Sequence, residues 1–193
     1  MSYADGKYWA GRSDLLYYQY FRMIIRCVGK DAGSMIDIGS GNAPYLEWFD
    51  WIGKRVSVDI RTPYRSAAVE GIKGDIHKLT FPEKFDICTC MQVMEHVPEA
   101  GPFAQRLLEL GKLLVVSVPY KWPKGKTNGH VHDPVDLEKL TAWFGRKPNY
   151  SQIVKEPFSA SKGRRLFAIY DPADPEMQFG PSYFSQRRPL ADA

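Results

Sequence analysis

The chain has 193 residues, of which 44% are hydrophobic and 25% charged, with a formal net charge of +4 at pH 7. This composition fits one globular domain and excludes a disordered chain. No apolar run approaches the roughly 20 residues that span a bilayer, and the start lacks a signal-peptide core, so we expect a cytoplasmic protein without a membrane span. The three cysteines form no CxxC pair, which excludes a zinc or redox motif of that kind.

Predicted helices and strands alternate through most of the chain. The spacing of apolar residues predicts a helix over 13–28, which we expect to form a lid, and Pro44 begins a helical segment over 44–51. Another helix, over 101–110, is predicted to be closed by Gly111. Apolar runs typical of strands occur five times in this part of the chain, at 35–38, 55–60, 71–75, 85–91 and 112–119.

The last third of the chain begins with a long loop over 119–134. It leads to a helix predicted over 134–144, with Asp133 as its N-cap and Pro134 at the first helical position. Two final strands, near 152–157 and 164–170, enclose a short polar turn and predict an antiparallel hairpin. Residues 172–193 contain four prolines and are expected to form a tail. No domain boundary is visible, so residues 1–193 are predicted to form a single α/β domain with a parallel sheet covered on both faces.

A glycine-rich turn, Asp37-Ile-Gly39-Ser40-Gly41-Asn-Ala43, follows the first strand. Such turns bring backbone N–H groups close to a nucleotide. The dinucleotide fingerprint GxGxxG/A needs a third small residue where this chain has Pro44, which weakens the interpretation as an NAD site.

Acidic residues follow the next two strands. Asp59 ends the second strand, where a carboxylate can accept hydrogen bonds from both hydroxyls of a ribose. Asp75 ends the third strand, where its carboxylate can accept a hydrogen bond from an adenine amino group. Ile60 and Ile76 stand next to them and could enclose the adenine ring. All these positions lie at carboxyl ends of strands, where open α/β sheets bind ligands.

This series resembles the class I S-adenosylmethionine-dependent methyltransferases, whose first turn reads D/E-x-G-x-G-x-G, with alanine here at the last glycine. The resemblance covers about 34–170 and implies a Rossmann-like, seven-stranded, mostly parallel sheet with helices on both faces and the last strand antiparallel. It implies S-adenosyl-L-methionine as cofactor, with Asp59 on the ribose and Asp75 on the adenine. The cofactor contacts expected on this basis are Asp37, Gly39, Ser40, Gly41, Asp59, Ile60, Asp75, Ile76 and Met91.

The segment after the fourth strand, Gln92-Val-Met-Glu95-His96, bears on the methyl acceptor. It lacks the [D/N/S]-P-P-[Y/F] motif typical of base-amine methylation. It is similar to the O-methyltransferases of ubiquinone biosynthesis, in which two glutamates and a histidine can hold a divalent metal. Glu95 and His96 match, but Gln92 replaces the first glutamate. Two interpretations stay open: a Mg²⁺ site at Glu95 and His96, or two pocket-wall residues.

The long loop offers a general base. His130 and His132 have side chains that titrate near neutrality, and His96 is a third candidate. The sequence His130-Val-His132-Asp133 could instead form a two-histidine, one-carboxylate metal set or a purely structural pair. Trp122 and Tyr120 could stack on a ring or sugar face of the acceptor.

At the other end, we expect Tyr8 and Arg12 to close over the cofactor. The predicted activity is methyl transfer, most readily to a hydroxyl oxygen of a small molecule or saccharide. Alternatives are an RNA or protein methyltransferase, favoured by the net charge of +4 and a lysine-rich loop, or a catalytically silent cofactor-binding module.

Overall fold

The structure, a computed structural model, describes residue 9 and residues 11–159 and 163–190. Its centre is a seven-stranded sheet with the strand order β3-β2-β1-β4-β5-β7-β6. The strands are β1 (Ser34–Ile38), β2 (Lys54–Asp59), β3 (Glu70–Lys73), β4 (Phe85–Met91), β5 (Gly111–Pro119), β6 (Tyr150–Lys155) and β7 (Arg164–Tyr170).

Strands β1 to β5 are mutually parallel, whereas β7 runs antiparallel to both β5 and β6. Strands joined by crossovers are parallel, and the hairpin reverses the direction once. The predicted sheet and its antiparallel last strand are therefore confirmed. Because the order reverses between β1 and β4, a crevice opens at the carboxyl ends of these two strands.

Within residues 11–159 and 163–190, the sheet is covered by the α-helices α1 (Leu16–Val28), α2 (Ala100–Leu110) and α3 (Leu137–Phe144). Helix α1 packs on one face, together with a 3₁₀ helix over Pro44–Phe49 and aromatic residues of the tail. Helices α2 and α3 pack on the opposite face against the apolar side chains of β4 and β5. None of the described helices combines the length and apolar character that crossing a membrane requires.

The helix predicted over 101–110 is α2 and ends at Leu110 as expected, but Gly111 is not a left-handed cap. The φ and ψ of Gly111 are −123° and 153°, and it begins β5. A Cβ atom at Gly111 would lie 2.8 Å from the backbone nitrogen of Cys88, so glycine is required by the close approach of β4. The helical segment predicted over 44–51 is a 3₁₀ helix over Pro44–Phe49, followed by a turn.

The N-cap of α3 is Asp136 and not Asp133. Its carboxylate accepts a hydrogen bond of 3.0 Å from the backbone nitrogen of Lys139, at the third position of the helix. The Lys139 ammonium donates to the carbonyl oxygens of His132 and Pro134, which therefore stay outside the helix. Asp133 is left for a different role.

Candidate functional site

A cavity of about 700 Å³ lies at the carboxyl ends of β1, β2 and β4. Gly39 and Gly41 form its floor, with φ angles of 83° and 54°. Both values are in the left-handed region that glycine adopts without steric cost. A Cβ atom at Gly39 would come within 2.4 Å of the Val93 side chain, so residue 39 must be glycine for the turn to fit under Val93.

Asp59 lies at the rim of this cavity, at the end of β2. One carboxylate oxygen accepts from the backbone nitrogens of Arg61 and Thr62, at 2.7 and 2.9 Å. The other accepts from the backbone nitrogen of Gly41 at 3.0 Å. The side chain therefore ties the glycine turn to the loop after β2 and is fixed in orientation.

The residues expected around an adenine also line the cavity. Ile60 is exposed on one side and Ile76 is buried on another. Asp75 lines the same space, and one of its carboxylate oxygens accepts from the backbone nitrogen of His77 at 3.0 Å. The structure thus brings Gly39, Gly41 and these three residues to the same cavity as Asp59.

Three other expected cofactor contacts do not line this cavity. Asp37 is fully buried and accepts hydrogen bonds from the Tyr45 hydroxyl at 2.8 Å and the Thr89 hydroxyl at 2.6 Å. Burial raises the pKa of Asp37 to about 6, against the opposing effect of these two hydrogen bonds. Ser40 is buried and pairs with the Ser57 hydroxyl, and Met91 is buried at the end of β4.

Glu95 and His96 follow β4 in a short 3₁₀ helix over Met94–His96. The Glu95 side chain is 1% exposed, and neither of its carboxylate oxygens has a hydrogen-bond partner among the described residues. Burial raises its pKa to about 8, and the nearby Asp133 carboxylate adds to the shift while Arg165 opposes it. His96 lines the same cavity as Asp59 and donates from Nδ1 to the carbonyl oxygen of Gly129 at 2.9 Å.

The long loop folds back onto this 3₁₀ helix. In addition to the bond from His96 to Gly129, the backbone nitrogen of Val131 donates to the carbonyl oxygen of Glu95 at 2.9 Å. The ring of His130 consequently lies edge-on to that of His96, with centroids 4.6 Å apart. Nδ1 of His130 lies 2.8 Å from a carboxylate oxygen of Asp133, and both side chains are buried.

The other loop histidine faces elsewhere. Nε2 of His132 donates to the carbonyl oxygen of Val97 at 2.8 Å, and its ring packs edge-on against Trp143 of α3. The set His130-Val-His132-Asp133 is therefore not assembled around one point. A different set of possible metal ligands does lie around one point. Glu95, His96 and His130 each offer a ligand atom, and these atoms lie within 4.8 Å of one another.

Asp133 and Arg165 lie near the set formed by Glu95, His96 and His130, and neither was predicted from the sequence to have the role it has there. Asp133 is the partner of His130, although its position before Pro134 suggested a helix cap. Arg165 of β7 is 6% exposed, and its guanidinium lies 4.5 Å from the centroid of the Trp122 ring. The H-x-x-D spacing of His130 and Asp133 could have indicated that these two residues pair. No local pattern in the sequence indicated the contact of Arg165 with Trp122.

The two residues expected to close over the cofactor were Tyr8 and Arg12. Tyr8 lies outside the described residues. Arg12 lines a second cavity, which it shares with Trp122 and Arg165.

Comparison with known proteins agrees with this geometry. Residues 36–112 match the family described as "Methyltransferase domain". No curated protein sequence matches the chain significantly. The matched segment includes the glycine turn, Asp59, Asp75 and the Glu95-His96 pair.

Several solved structures have a similar fold. The N-methyltransferase NodS from Bradyrhizobium japonicum, in complex with S-adenosylhomocysteine, is 13% identical with a TM-score of 0.67, over 88% of this chain and 93% of that chain. A 1,6-didemethyltoxoflavin-N1-methyltransferase from Burkholderia thailandensis is 18% identical with a TM-score of 0.65, over 86% and 82%. The small RNA methyltransferase HEN1 is 21% identical with a TM-score of 0.62, over 84% of this chain and 25% of that chain. Residues 36–112 are therefore similar to the methyltransferase domain family, and the chain has the Rossmann-like fold of the class I S-adenosylmethionine-dependent methyltransferases.

Proposed function

We propose that the protein transfers a methyl group from S-adenosyl-L-methionine to a hydroxyl oxygen of a small molecule or saccharide. The observation that carries the oxygen acceptor is the buried His130–Asp133 pair. The His130 ring packs edge-on against His96, and His96 lines the first cavity. A hydroxyl, unlike an amine, is a poor nucleophile until its proton is removed, so a positioned base is required.

The first cavity, at the carboxyl ends of β1, β2 and β4, would bind the methyl donor, and we call it the cofactor cavity. The backbone at Gly39 and Gly41 would meet the amino acid end of the cofactor, Asp59 the ribose hydroxyls and Asp75 the adenine amino group. Ile60 and Ile76 would cover the two faces of the adenine ring. Solved structures that share this fold hold S-adenosylhomocysteine, which supports the choice of cofactor.

His130 would act as the general base in the methyl transfer. The hydroxyl proton would pass to Nε2 of His130. S-adenosyl-L-methionine would supply the methyl group, which would form a bond to the acceptor oxygen as its bond to sulfur breaks, leaving S-adenosylhomocysteine. The Asp133 carboxylate fixes the ring through Nδ1 and stabilises the imidazolium that forms, in the manner of a histidine–aspartate pair. The proton then leaves to solvent.

A divalent metal at Glu95, His96 and His130 is the competing mechanism. The buried, unpartnered Glu95 carboxylate and two imidazoles fit a first-row transition ion better than Mg²⁺, which prefers oxygen ligands. Such an ion would lower the pKa of the acceptor hydroxyl. His130 cannot be both a ligand through Nε2 and the base, so the two mechanisms exclude each other.

Methyl transfer to a panel of sugars, phenols and hydroxylated lipids tests the function, with release of S-adenosylhomocysteine as the readout. Tight binding of the methyl donor without turnover on any hydroxyl compound would instead support a silent binding module. Activity that survives dialysis against EDTA supports the His130 base; activity that is lost and then restored by Mn²⁺ or Zn²⁺ supports the metal.

RNA is the second candidate acceptor. The long loop exposes Lys121, Lys124 and Lys126, and a small RNA methyltransferase shares the fold. Binding to phosphates falls steeply with salt because counterions are released. RNA binding that weakens strongly between low and physiological salt, together with methylation of RNA, would favour this candidate over a small acceptor.

A further inference from the structure

Trp122 lies in the same long loop as His130, and its indole ring packs on the His130 ring. The two ring centroids are 5.6 Å apart, and the ring planes are inclined by only 15°. Offset stacking of this kind is favourable at centroid distances of about 4.5–7 Å. Trp122 is 9% exposed, so little of its surface is left for an acceptor, and the expected stacking of Trp122 on the acceptor has no support in this geometry.

The indole of Trp122 is itself held by strand β7. Its ring nitrogen donates to the backbone carbonyl oxygen of Arg164 at 3.0 Å. The Arg165 guanidinium lies 4.5 Å from the centroid of the Trp122 ring and 4.7 Å from that of Tyr17 in α1. Planar guanidinium groups pack well on aromatic rings. A hydrogen bond to the sheet and a contact with Arg165 therefore fix the indole plane, although Trp122 belongs to a loop.

The hydrogen bond to Asp133 does not by itself fix the His130 ring. Nδ1 of His130 lies 2.8 Å from a carboxylate oxygen of Asp133. An imidazole held at one nitrogen can still tilt about the line that joins these two atoms, and the tilt would move Nε2. A flat indole packed on the ring resists this tilt, and the edge-on contact with His96 limits it further. Asp133 and Trp122 therefore set the direction of Nε2 together.

We propose that Trp122 is a positioning residue, supported by Arg165, that sets the plane of the His130 ring and with it the direction of Nε2. This inference rests on the proposed function, because the rate depends on Nε2 only if His130 acts in the reaction. Reacting groups must be closely aligned, and a misplacement of about 1 Å can cost about a hundredfold in rate. Trp122 acts through His130 and is not among the described residues that line the cofactor cavity.

Two substitutions separate the flat ring from the indole hydrogen bond. Trp122→Leu and Trp122→Phe both lose the donor to the Arg164 carbonyl oxygen, but only phenylalanine keeps an aromatic face for His130. With the hydroxyl compound that the panel identifies, Trp122→Leu should lower kcat at least about tenfold, within the loss that misalignment causes. Trp122→Phe should recover most of that loss, and the affinity for S-adenosylhomocysteine should stay nearly constant in both. Equal rates in the two variants would overturn the proposal.

The position of the His130 ring can be measured without an acceptor, in protein saturated with S-adenosylhomocysteine. The chain has four histidines, so their Hε1 resonances can be resolved by NMR, and His130→Ala identifies that of His130. The ring current of the indole acts on this resonance, so Trp122→Leu should shift it more than the other three. Trp143→Leu, which removes the ring beside His132, is the matched control and should shift the His132 resonance instead. A His130 resonance that does not move in Trp122→Leu would overturn the proposal.

A double-mutant cycle distinguishes positioning from a general loss of structure. If Trp122 acts through His130, Trp122→Leu should slow the wild type but cause no further loss in His130→Ala, so the two effects do not add. Equal losses in both proteins would mean that Trp122 only maintains the fold. Arg165→Lys, which keeps the charge but loses the planar group, should give a smaller loss of the same kind, and it tests the relationship if Trp122→Leu does not fold. A wild-type rate in His130→Ala would refute the proposed base itself, and the positioning role with it.

Discussion

Nδ1 of His130 lies 2.8 Å from Oδ2 of Asp133, and both side chains are buried against the 3₁₀ helix that follows β4. A carboxylate accepts hydrogen bonds, so Nδ1 carries the hydrogen and Nε2 is the nitrogen that can take a proton. The His130 ring therefore has the tautomer that a general base requires. The same ring packs edge-on against His96.

His130→Ala should lower turnover by about a hundredfold, the usual contribution of a general base. The affinity for S-adenosylhomocysteine should stay nearly constant, because the proposed ribose and adenine contacts, Asp59 and Asp75, lie on other loops. His132→Gln is the matched control: its amide can still donate to the Val97 carbonyl oxygen. If both variants keep the wild-type rate on the true acceptor, the base lies elsewhere and His96 becomes the leading candidate.

Asp133→Asn should reduce turnover and also change its pH dependence. The wild-type rate should rise with pH as the imidazole loses its proton, because only the neutral ring can act as a base. The Asp133 carboxylate stabilises the imidazolium, so its removal lowers the pKa of His130 and moves the rising limb to lower pH. A pH–rate profile of the variant that coincides with that of the wild type would assign Asp133 a structural role.

The sequence predicted which residues meet at the first cavity better than it predicted the contacts around His130, for a physical reason. Asp59, Asp75 and the glycine turn each follow a strand, and parallel strands bring such residues to one edge whatever the loops do. The pairing of His130 with His96 depends on a loop that folds back across 33 positions, through single hydrogen bonds such as that from His96 to Gly129. No local pattern encodes that contact.

The misassigned helix cap has a local cause. Asp133 and Asp136 both precede the apolar face of α3, and proline after Asp133 fits a first helical position. The structure starts the helix three residues later, where Asp136 accepts from the backbone nitrogen of Lys139. The Asp133 carboxylate is instead buried and paired with His130, three residues earlier in the chain.

Asp59→Ala should weaken binding of S-adenosylhomocysteine at least tenfold, since charge-assisted hydrogen bonds contribute roughly 1.5–3 kcal/mol each. The substitution also leaves the backbone nitrogens of Gly41, Arg61 and Thr62 without their acceptor, so the glycine turn should loosen. Calorimetry measures the affinity, and circular dichroism checks that the fold is retained. Asp75→Ala, which lines the same cavity but has one such contact, should have the smaller effect. Unchanged affinity in Asp59→Ala would move the cofactor to another site.

Gly39→Ala should lower stability much more than Gly101→Ala. At position 39 the φ angle is 83° and a Cβ atom would lie 2.4 Å from Val93, so alanine must displace the turn and impair cofactor binding. At position 101, in the first turn of α2, no atom beyond the two chain neighbours and the helix's own backbone lies within 4 Å of the added atom, and only the following Pro102 restricts it. There alanine should change the free energy of unfolding by no more than about 1 kcal/mol. Urea denaturation measures both, and a stable, cofactor-binding Gly39→Ala protein would contradict the tight turn.

Glu95 makes the unfolding free energy depend on pH in an unusual direction. Its carboxyl has a pKa of about 8 in the folded protein, above the value of 4.5 for an ordinary glutamate. Between these two values the folded state keeps a proton that the unfolded state releases, so this group's contribution to stability falls as pH rises through that range and levels off above it. Glu95→Gln cannot ionise and should lack this decline. We therefore expect the unfolding free energy of the wild type, relative to Glu95→Gln, to decrease from pH 5 to pH 8 in chemical denaturation with EDTA present. If the two proteins show parallel pH dependence, Glu95 is ionised in the folded state.

Addition of a divalent transition ion at pH 8 then separates the metal mechanism from the mechanism with His130 as base. Stabilisation of the wild type but not of Glu95→Gln would mean that a cation replaces the proton at Glu95.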